Sequence, residues 1–274
     1  PWQVNKVIKL IDDGNTIPFI ARYRKEMHGS MDDQLIREFA EKLEYLRGLD
    51  KRRDEIRSLI DAQEKLTDEI NLALDKAATL SELEDIYRPY RPKRKTRASI
   101  AKEKGLEPLA NDILKQEKGF DPSKSAVDYI DEEKGVTSVE DAIQGAMDII
   151  AELVSDNAEI RKRIRNLTNA NGVLVSVATD EEKDSVYKNY YDYKEPVKKI
   201  AGHRVLAVNR GEKEGFLKVS VETDSEKPLN SIFRAMITDK NQLCSDIIRE
   251  ACTDAYQRLI YPSIEREVRN DLTD

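Results

Sequence analysis

The sequence predicts a mainly α-helical chain, an elongated helical assembly with helix-turn-helix-like elements and a small α+β insert. Three observations lead there. Glycine and proline together make up about 7% of the 274 residues against a usual ~12%, so there are few points at which a helix must stop. Apolar residues recur every three or four positions over most of the length, and only two short stretches alternate as half-buried strands do. Charged residues reach 36% against a usual ~25%, and the mean hydropathy is −0.66, which describes much surface for each residue of core. At 39% hydrophobic the chain can still bury a core, and its length suits about two domains at ~150 residues each. A β-sandwich, a barrel or a collagen-like chain does not fit, and no apolar run approaches the ~18 residues that would span a bilayer.

Apolar positions 4, 7, 8 and 11 mark the first helix, which stops at Asp12-Asp13-Gly14-Asn15. Thr16 is placed to cap a second helix with Pro18 in its first turn, giving a short helix–turn–helix. Ser30 or Asp32 starts a long helix whose apolar positions are Leu35, Phe39, Leu43, Leu46, Leu49, Ile56 and Ile60. Turns at Thr67 and at Thr79-Leu80-Ser81 introduce two shorter helices. The second ends at Tyr87 because Pro89 and Pro92 cannot continue it. Ala98–Lys104 and Leu106–Lys118 read as helices separated by Gly105 and closed by Gly119, and Asp121-Pro122 starts another. Ser138 or Thr137 caps a second long helix that persists to Asn169 and is ended by Asn171-Gly172. Val173–Val177 and Phe216–Val221 are the two strands. Between them His203–Glu214 suits a strand or a helix and is assigned to helix. Helical spacing resumes at Pro228, and Pro262 starts the last helix. This gives helical regions 1–119 and 120–170, an α+β insert at 171–223 and a helical segment at 224–274.

The formal net charge is −7 and the pI about 5.3, so any attraction to a phosphate backbone has to be local. One segment supplies it. Arg88-Pro89-Tyr90-Arg91-Pro92-Lys93-Arg94-Lys95-Thr96-Arg97 holds six cations and no acid in ten residues. Point charges and guanidinium forks lie close together there, held extended by two prolines, with a ring for stacking. The candidate nucleic-acid-binding residues are therefore Arg88, Tyr90, Arg91, Lys93, Arg94, Lys95 and Arg97. The competing reading pairs this segment with acids of its own fold, of which Glu82, Glu84 and Asp85 lie just upstream. Arg161-Lys162-Arg163 with Arg165, and Arg22-Tyr23-Arg24-Lys25, are read first as helix-end electrostatics. Tyr187, Tyr190, Tyr191 and Tyr193 are read as packing over the small sheet.

Catalytic chemistry has little support. His28 and His203 are the two histidines and are placed in turns or at a helix start. No H-E-x-x-H, G-x-S-x-G, G-x-G-x-x-G or phosphate-loop motif occurs. Cys244 and Cys252 form no C-x-x-C pair, which argues against a structural zinc and fits a reducing, cytoplasmic location. No enzyme activity, cofactor, metal or membrane association is expected. The opening Pro1-Trp2-Gln3, without an initiator Met, is read as part of a longer chain.

Four blocks together resemble the Tex family, bacterial transcription accessory proteins related to the eukaryotic elongation factor of the suppressor-of-Ty class. They are Thr16-Ile17-Pro18-Phe19-Ile20-Ala21-Arg22-Tyr23-Arg24-Lys25-Glu26; Leu83-Glu84-Asp85-Ile86-Tyr87 with Pro89-Tyr90-Arg91-Pro92-Lys93-Arg94; Arg97–Ala110; and His203-Arg204-Val205-Leu206-Ala207 with Asn209-Arg210-Gly211-Glu212. The resemblance implies a nucleic-acid-binding factor in transcription with a helical N-terminal region, an RNase-H-like fold, tandem helix–hairpin–helix elements and an OB-type RNA-binding domain. This chain would be the first part, leading toward the RNase-H-like domain, with a helix-turn-helix-like element at 16–39. The implied partners are RNA and/or DNA. The alternative is a protein–protein scaffold contacting RNA polymerase or its own downstream domains. The resemblance brings no catalytic residue with it.

Overall fold

The computed structural model describes residues 2–29, 31–238 and 240–273, which gather into two compact units, 1–87 and 88–274. It is mainly helical with one small sheet, the expected class. In the first unit, α1 (Trp2–Asp12), α2 (Ile17–Tyr23) and α3 (Lys25–His28) precede the long α4 (Asp33–Asp61), followed by α5 (Asp68–Lys76) and α6 (Leu80–Tyr87). Gly14, at φ +81°, makes the turn after α1, and the Asn15 side-chain amide donates to Leu10 O at 2.8 Å. Thr16 occupies the N-cap position of α2, although its hydroxyl makes no capping bond. His28 closes α3 rather than lying in a turn. Of the two expected starts of α4, Ser30 lies outside the described residues, and Asp32 caps the helix by accepting from Leu35 N at 2.7 Å.

Val7, Leu10, Ile20 and Ile36 form one core where α1 and α2 meet the start of α4. Leu49, Ile56 and Ile60 are buried farther along, as are Leu74 of α5 and Leu83 of α6. The expected apolar face of α4 is only partly buried. Leu35 and Leu46 are 48% and 43% exposed, and Ile36 goes inside instead. A three-or-four spacing fits more than one face of a helix, and the neighbouring helices decide which is covered. Arginines on α4 tie its neighbours down. Arg53 donates to Leu74 O at 2.9 Å and Ala77 O at 3.0 Å, serving carbonyls at the end of α5, and Arg52 pairs with Glu84 of α6 at 2.6 Å.

The second unit begins with a 3₁₀ turn at Arg88–Tyr90. It continues through α7 (Arg97–Glu103), α8 (Glu107–Lys115), α9 (Pro122–Ala126), α10 (Val139–Asp156) and α11 (Ala158–Asn171). The expected single helix from 138 to 169 is two helices. Asn157 is extended (φ −73°, ψ 112°), and its side-chain oxygen accepts from Ile160 N at 3.0 Å, so it ends one helix and caps the next. The apolar periodicity crosses this break because both helices face one core. Helix α10 runs through that core with Ala142, Ala146, Ile150 and Val154 fully buried. Gly145 lets α7 approach it: a Cβ there would lie 2.3 Å from Leu106 Cδ1 and 3.3 Å from Ala101 Cβ.

The insert is β1 (Val173–Ala178), β2 (Asp192–Pro196), α12 (Gly202–Lys213) and β3 (Leu217–Glu222), with antiparallel order β2-β1-β3. Val175 faces Lys194 on one side and Ser220 on the other. Strand β2 was not foreseen. Its sequence, Asp-Tyr-Lys-Glu-Pro, lacks the apolar alternation of a half-buried strand, and it sits at an edge where that is tolerated. On the opposite edge, Glu212 and Glu265 accept from Val219 N and Val221 N at 3.2 and 3.1 Å, closing β3 to further pairing. Tyr187 is buried with Leu174, Val208, Leu217 and Val219, and Tyr190, Tyr191 and Tyr193 pack around them. The chain closes with α13 (Glu226–Met236), α14 (Gln242–Asp254), a π-helical turn at Ala255–Ile260 and α15 (Tyr261–Asp271). Among the described residues no helix is long and apolar enough to cross a membrane.

Candidate nucleic-acid interface

The basic segment is a strap laid along one face of α10. Pro89 and Pro92 keep it out of α-helix until Thr96, whose hydroxyl accepts from Ser99 N at 3.0 Å while Ser99 Oγ accepts from Thr96 N at 2.8 Å. That reciprocal cap starts α7 at Arg97. Asp148, Glu152 and Asp156 follow one another at every fourth residue, so their carboxylates line one side of α10. Lys93 binds Asp156 and lies 3.6 Å from Glu152, and Thr96 Oγ1 donates to Glu152 at 3.0 Å. Asp148 feels the charges of Arg97 and Arg258, the latter at 4.0 Å, yet burial pushes its carboxyl above the ordinary range.

Arg91, Lys93, Arg94, Lys95 and Arg97 are exposed, whereas Arg88 and Tyr90 are half-buried. Lys95 lies 3.3 Å from Glu103 across open surface, a pair worth little in water. Arg88 donates to Ser263 Oγ at 3.3 Å, which anchors the start of the strap to α15. Acids of the fold therefore do engage the segment, from α10 through Lys93 and Thr96 and from α7 through Lys95. Of the upstream acids singled out in the sequence, Glu84 pairs with Arg52 and Glu82 accepts from Ala78 N at 2.7 Å. The role of α10 had a signal in the sequence, the spacing of its three carboxylates, while that of Ser263 had none, being 175 residues from Arg88.

The second basic cluster is split by burial. Arg161 is 0% exposed and donates to Ser263 at 2.9 Å and Glu267 at 2.8 Å, while Arg165 grips the other oxygen of Glu267 at 2.9 and 2.8 Å. These are cross-braces between α11 and α15, so the expected helix-end explanation gives way to a tertiary one. Lys162 and Arg163 stay exposed. Among the described residues no three His, Cys, Asp or Glu side chains are grouped to hold a metal. Both cysteines are free and buried, and burial pushes the Cys252 thiol up to about 12.

Fold and site together define a helical scaffold that presents a fixed cationic strap. Residues 1–61 match the Tex-like protein N-terminal domain, and residues 117–274 match the family described as Tex central region-like. The chain belongs to the Tex family. It is 45% identical to an uncharacterized protein, YdcI, of Bacillus subtilis over 99% of its own length and 38% of that protein's. It is 35% identical to the transcriptional accessory protein Tex of Neisseria gonorrhoeae, over 99% of this chain and 36% of that one. With the human S1 RNA-binding domain-containing protein 1 it shares 30% identity, over 100% of this chain and 29% of the relative. It thus spans 29–38% of the lengths of these relatives.

Proposed function

We propose that this chain is the helical part of a transcription accessory factor that associates with RNA and/or DNA without catalysing a reaction. In this reading Arg91, Arg94, Lys95 and Arg97 contact phosphates, Tyr90 positions or stacks on the strand, and Lys93 and Arg88 hold the strap in place. The observation that carries it is the exposure of four cations on a segment whose backbone is fixed by its own cap and by α10, so that little ordering is needed on binding. The names of the Neisseria and human relatives support the same assignment. The non-catalytic part rests on the pairing of the clustered carboxylates, Glu152 and Asp156 with Lys93 and Thr96 of the strap and Asp148 with Arg258. A cytoplasmic location accompanies it, with Cys244 and Cys252 as free thiols.

Fluorescence anisotropy against duplex DNA and single-stranded RNA at several salt concentrations tests the proposal. Four phosphate contacts give a slope of log affinity against log salt of about −3.6 on duplex, from ~0.9 per contact. A variant with Arg91, Arg94, Lys95 and Arg97 changed to Gln should lose that binding. Retention of both affinity and slope by the variant would defeat the assignment. A second reading, docking to a protein such as RNA polymerase, is favoured by the exposed Leu35, Tyr45 and Leu46 on α4, each more than 40% exposed. It predicts that Leu35→Ser and Leu46→Ser abolish polymerase pull-down while nucleic-acid affinity stays unchanged.

A further inference from the structure

The first unit carries a surface that neither its core nor helix-end electrostatics explains. Helix α2 buries Ile20 completely, and its outer side holds Phe19 and Tyr23, 37% and 66% exposed. Their ring centroids are 5.4 Å apart at an interplanar angle of 41°, and the Arg24 guanidinium lies over the Phe19 ring at 5.5 Å. Phe19 is therefore covered in part by its two neighbours. Tyr23, steadied by that contact, keeps most of its ring in solvent. Arg22 and Arg24 are both exposed and flank it along the chain.

Along α2 and its end the charge is of one sign. From Thr16 to Lys25 the sequence holds three cations and no acid. The carboxylates at the start of α4, which border the same cleft as Arg22, are already engaged: Asp32 caps Leu35 N, and Asp33 pairs with Arg37 at 2.9 Å. An exposed ring with an arginine on either side of it in the chain matches the alternation of base and phosphate along a single strand. Duplex, whose bases are stacked on one another, offers no such ring face. A protein partner could use the aromatics, but the excess of positive charge favours a polyanion.

We propose that Tyr23 is a stacking platform for an unpaired nucleobase of single-stranded nucleic acid, with Phe19 fixing the ring and Arg22 and Arg24 holding the flanking phosphates. The proposal rests on the nucleic-acid reading above for its class of ligand, while none of its residues belongs to the strap. It adds selectivity for single strands, which phosphate contacts alone do not give.

The test uses the whole chain and four labelled 15-mers: oligo-U RNA, oligo-T DNA, a duplex DNA, and an abasic DNA strand. Tyr23→Ala should weaken binding to the RNA or DNA single strand about five- to hundredfold and leave duplex and abasic strand within twofold. The RNA and DNA arms identify which single strand is preferred. Tyr23→Phe should keep parental affinity, and Arg22→Gln with Arg24→Gln should lower the salt slope for single strands by about 1.4, from ~0.7 per contact. Unchanged single-strand affinity in Tyr23→Ala overturns the proposal and leaves the aromatics to a protein partner. A loss shared equally by all four probes overturns it too, since a stacking site cannot weaken an abasic strand. If the strap variant still binds single strands while Tyr23→Ala does not, the phosphate strap fails and the platform stands. The reverse pattern removes the platform alone. No binding of any probe by the parent at low salt overturns both.

Discussion

Releasing the strap from α10 gives the sharpest test of how it works. In the variant Glu152→Gln with Asp156→Asn, Lys93 loses both carboxylates that hold it, and Thr96 keeps a neutral oxygen in place of Glu152. Two electrostatic effects on binding follow, both favourable, while the prolines and the Thr96 cap still order the strap's backbone. A carboxylate about 8 Å from a bound phosphate repels it by about 0.5 kcal/mol in water, reduced to about 0.2 at 0.1 M salt, so removing two gains close to 0.5 kcal/mol, or twofold. Lys93, once freed, becomes a fifth phosphate contact and steepens the salt slope by ~0.9. Together the expected gain on duplex DNA is about five- to tenfold at 0.1 M salt. Stability moves the other way. The Lys93 side chain is 30% exposed and that of Asp156 15%, so losing the pair costs about 1 kcal/mol, discounted for partial solvation. Anisotropy titrations from 50 to 300 mM salt and urea unfolding measure the two quantities. Weaker binding with an unchanged salt slope would refute the reasoning, because it would mean that the α10 carboxylates order the strap for binding more than they withhold Lys93 from it.

Three further outcomes follow from the packing. Glu267→Ala should destabilise the second unit by about 3 kcal/mol, the low end for a buried ion pair because Glu267 is itself 27% exposed, and a loss below 1 kcal/mol in urea unfolding would contradict the cross-brace. Gly145→Ala gains about 1 kcal/mol of helix propensity but forces Leu106 aside at a cost of about 1–3, so a net loss near 1 kcal/mol is expected, and a more stable variant would show that α7 and α10 do not meet there. Asp141 has its carboxyl held below the ordinary 3.8, chiefly by the Thr137 hydroxyl and then by Thr137 N. A depressed carboxylate contributes stability above its unfolded value and loses it as the pH falls through the folded one. The difference in melting temperature between parent and Asp141→Ala should thus be full at pH 6 and fade below about pH 3.8, and a difference independent of pH would exclude the charged bond as its source.

The sequence by itself determined what depends on near neighbours in the chain. Helix starts at Asp32, Thr67, Asp121 and Ser138, the stop before Pro89, and strands β1 and β3 were legible because caps, prolines and alternation act within a few residues. The concentration of charge at 88–97 was legible for the same reason. Only the tertiary structure decided which α4 residues are buried, that Asn157 divides α10 from α11, and that Asp-Tyr-Lys-Glu-Pro completes a sheet as an edge strand. It alone separated Arg161 and Arg165, which brace α15, from Lys162 and Arg163, which face solvent. It also showed the strap held by α10 and Tyr23 standing open beside Phe19. Each of these depends on groups far apart in sequence, and the sign of a charge or the apolarity of a ring does not say what will be packed against it.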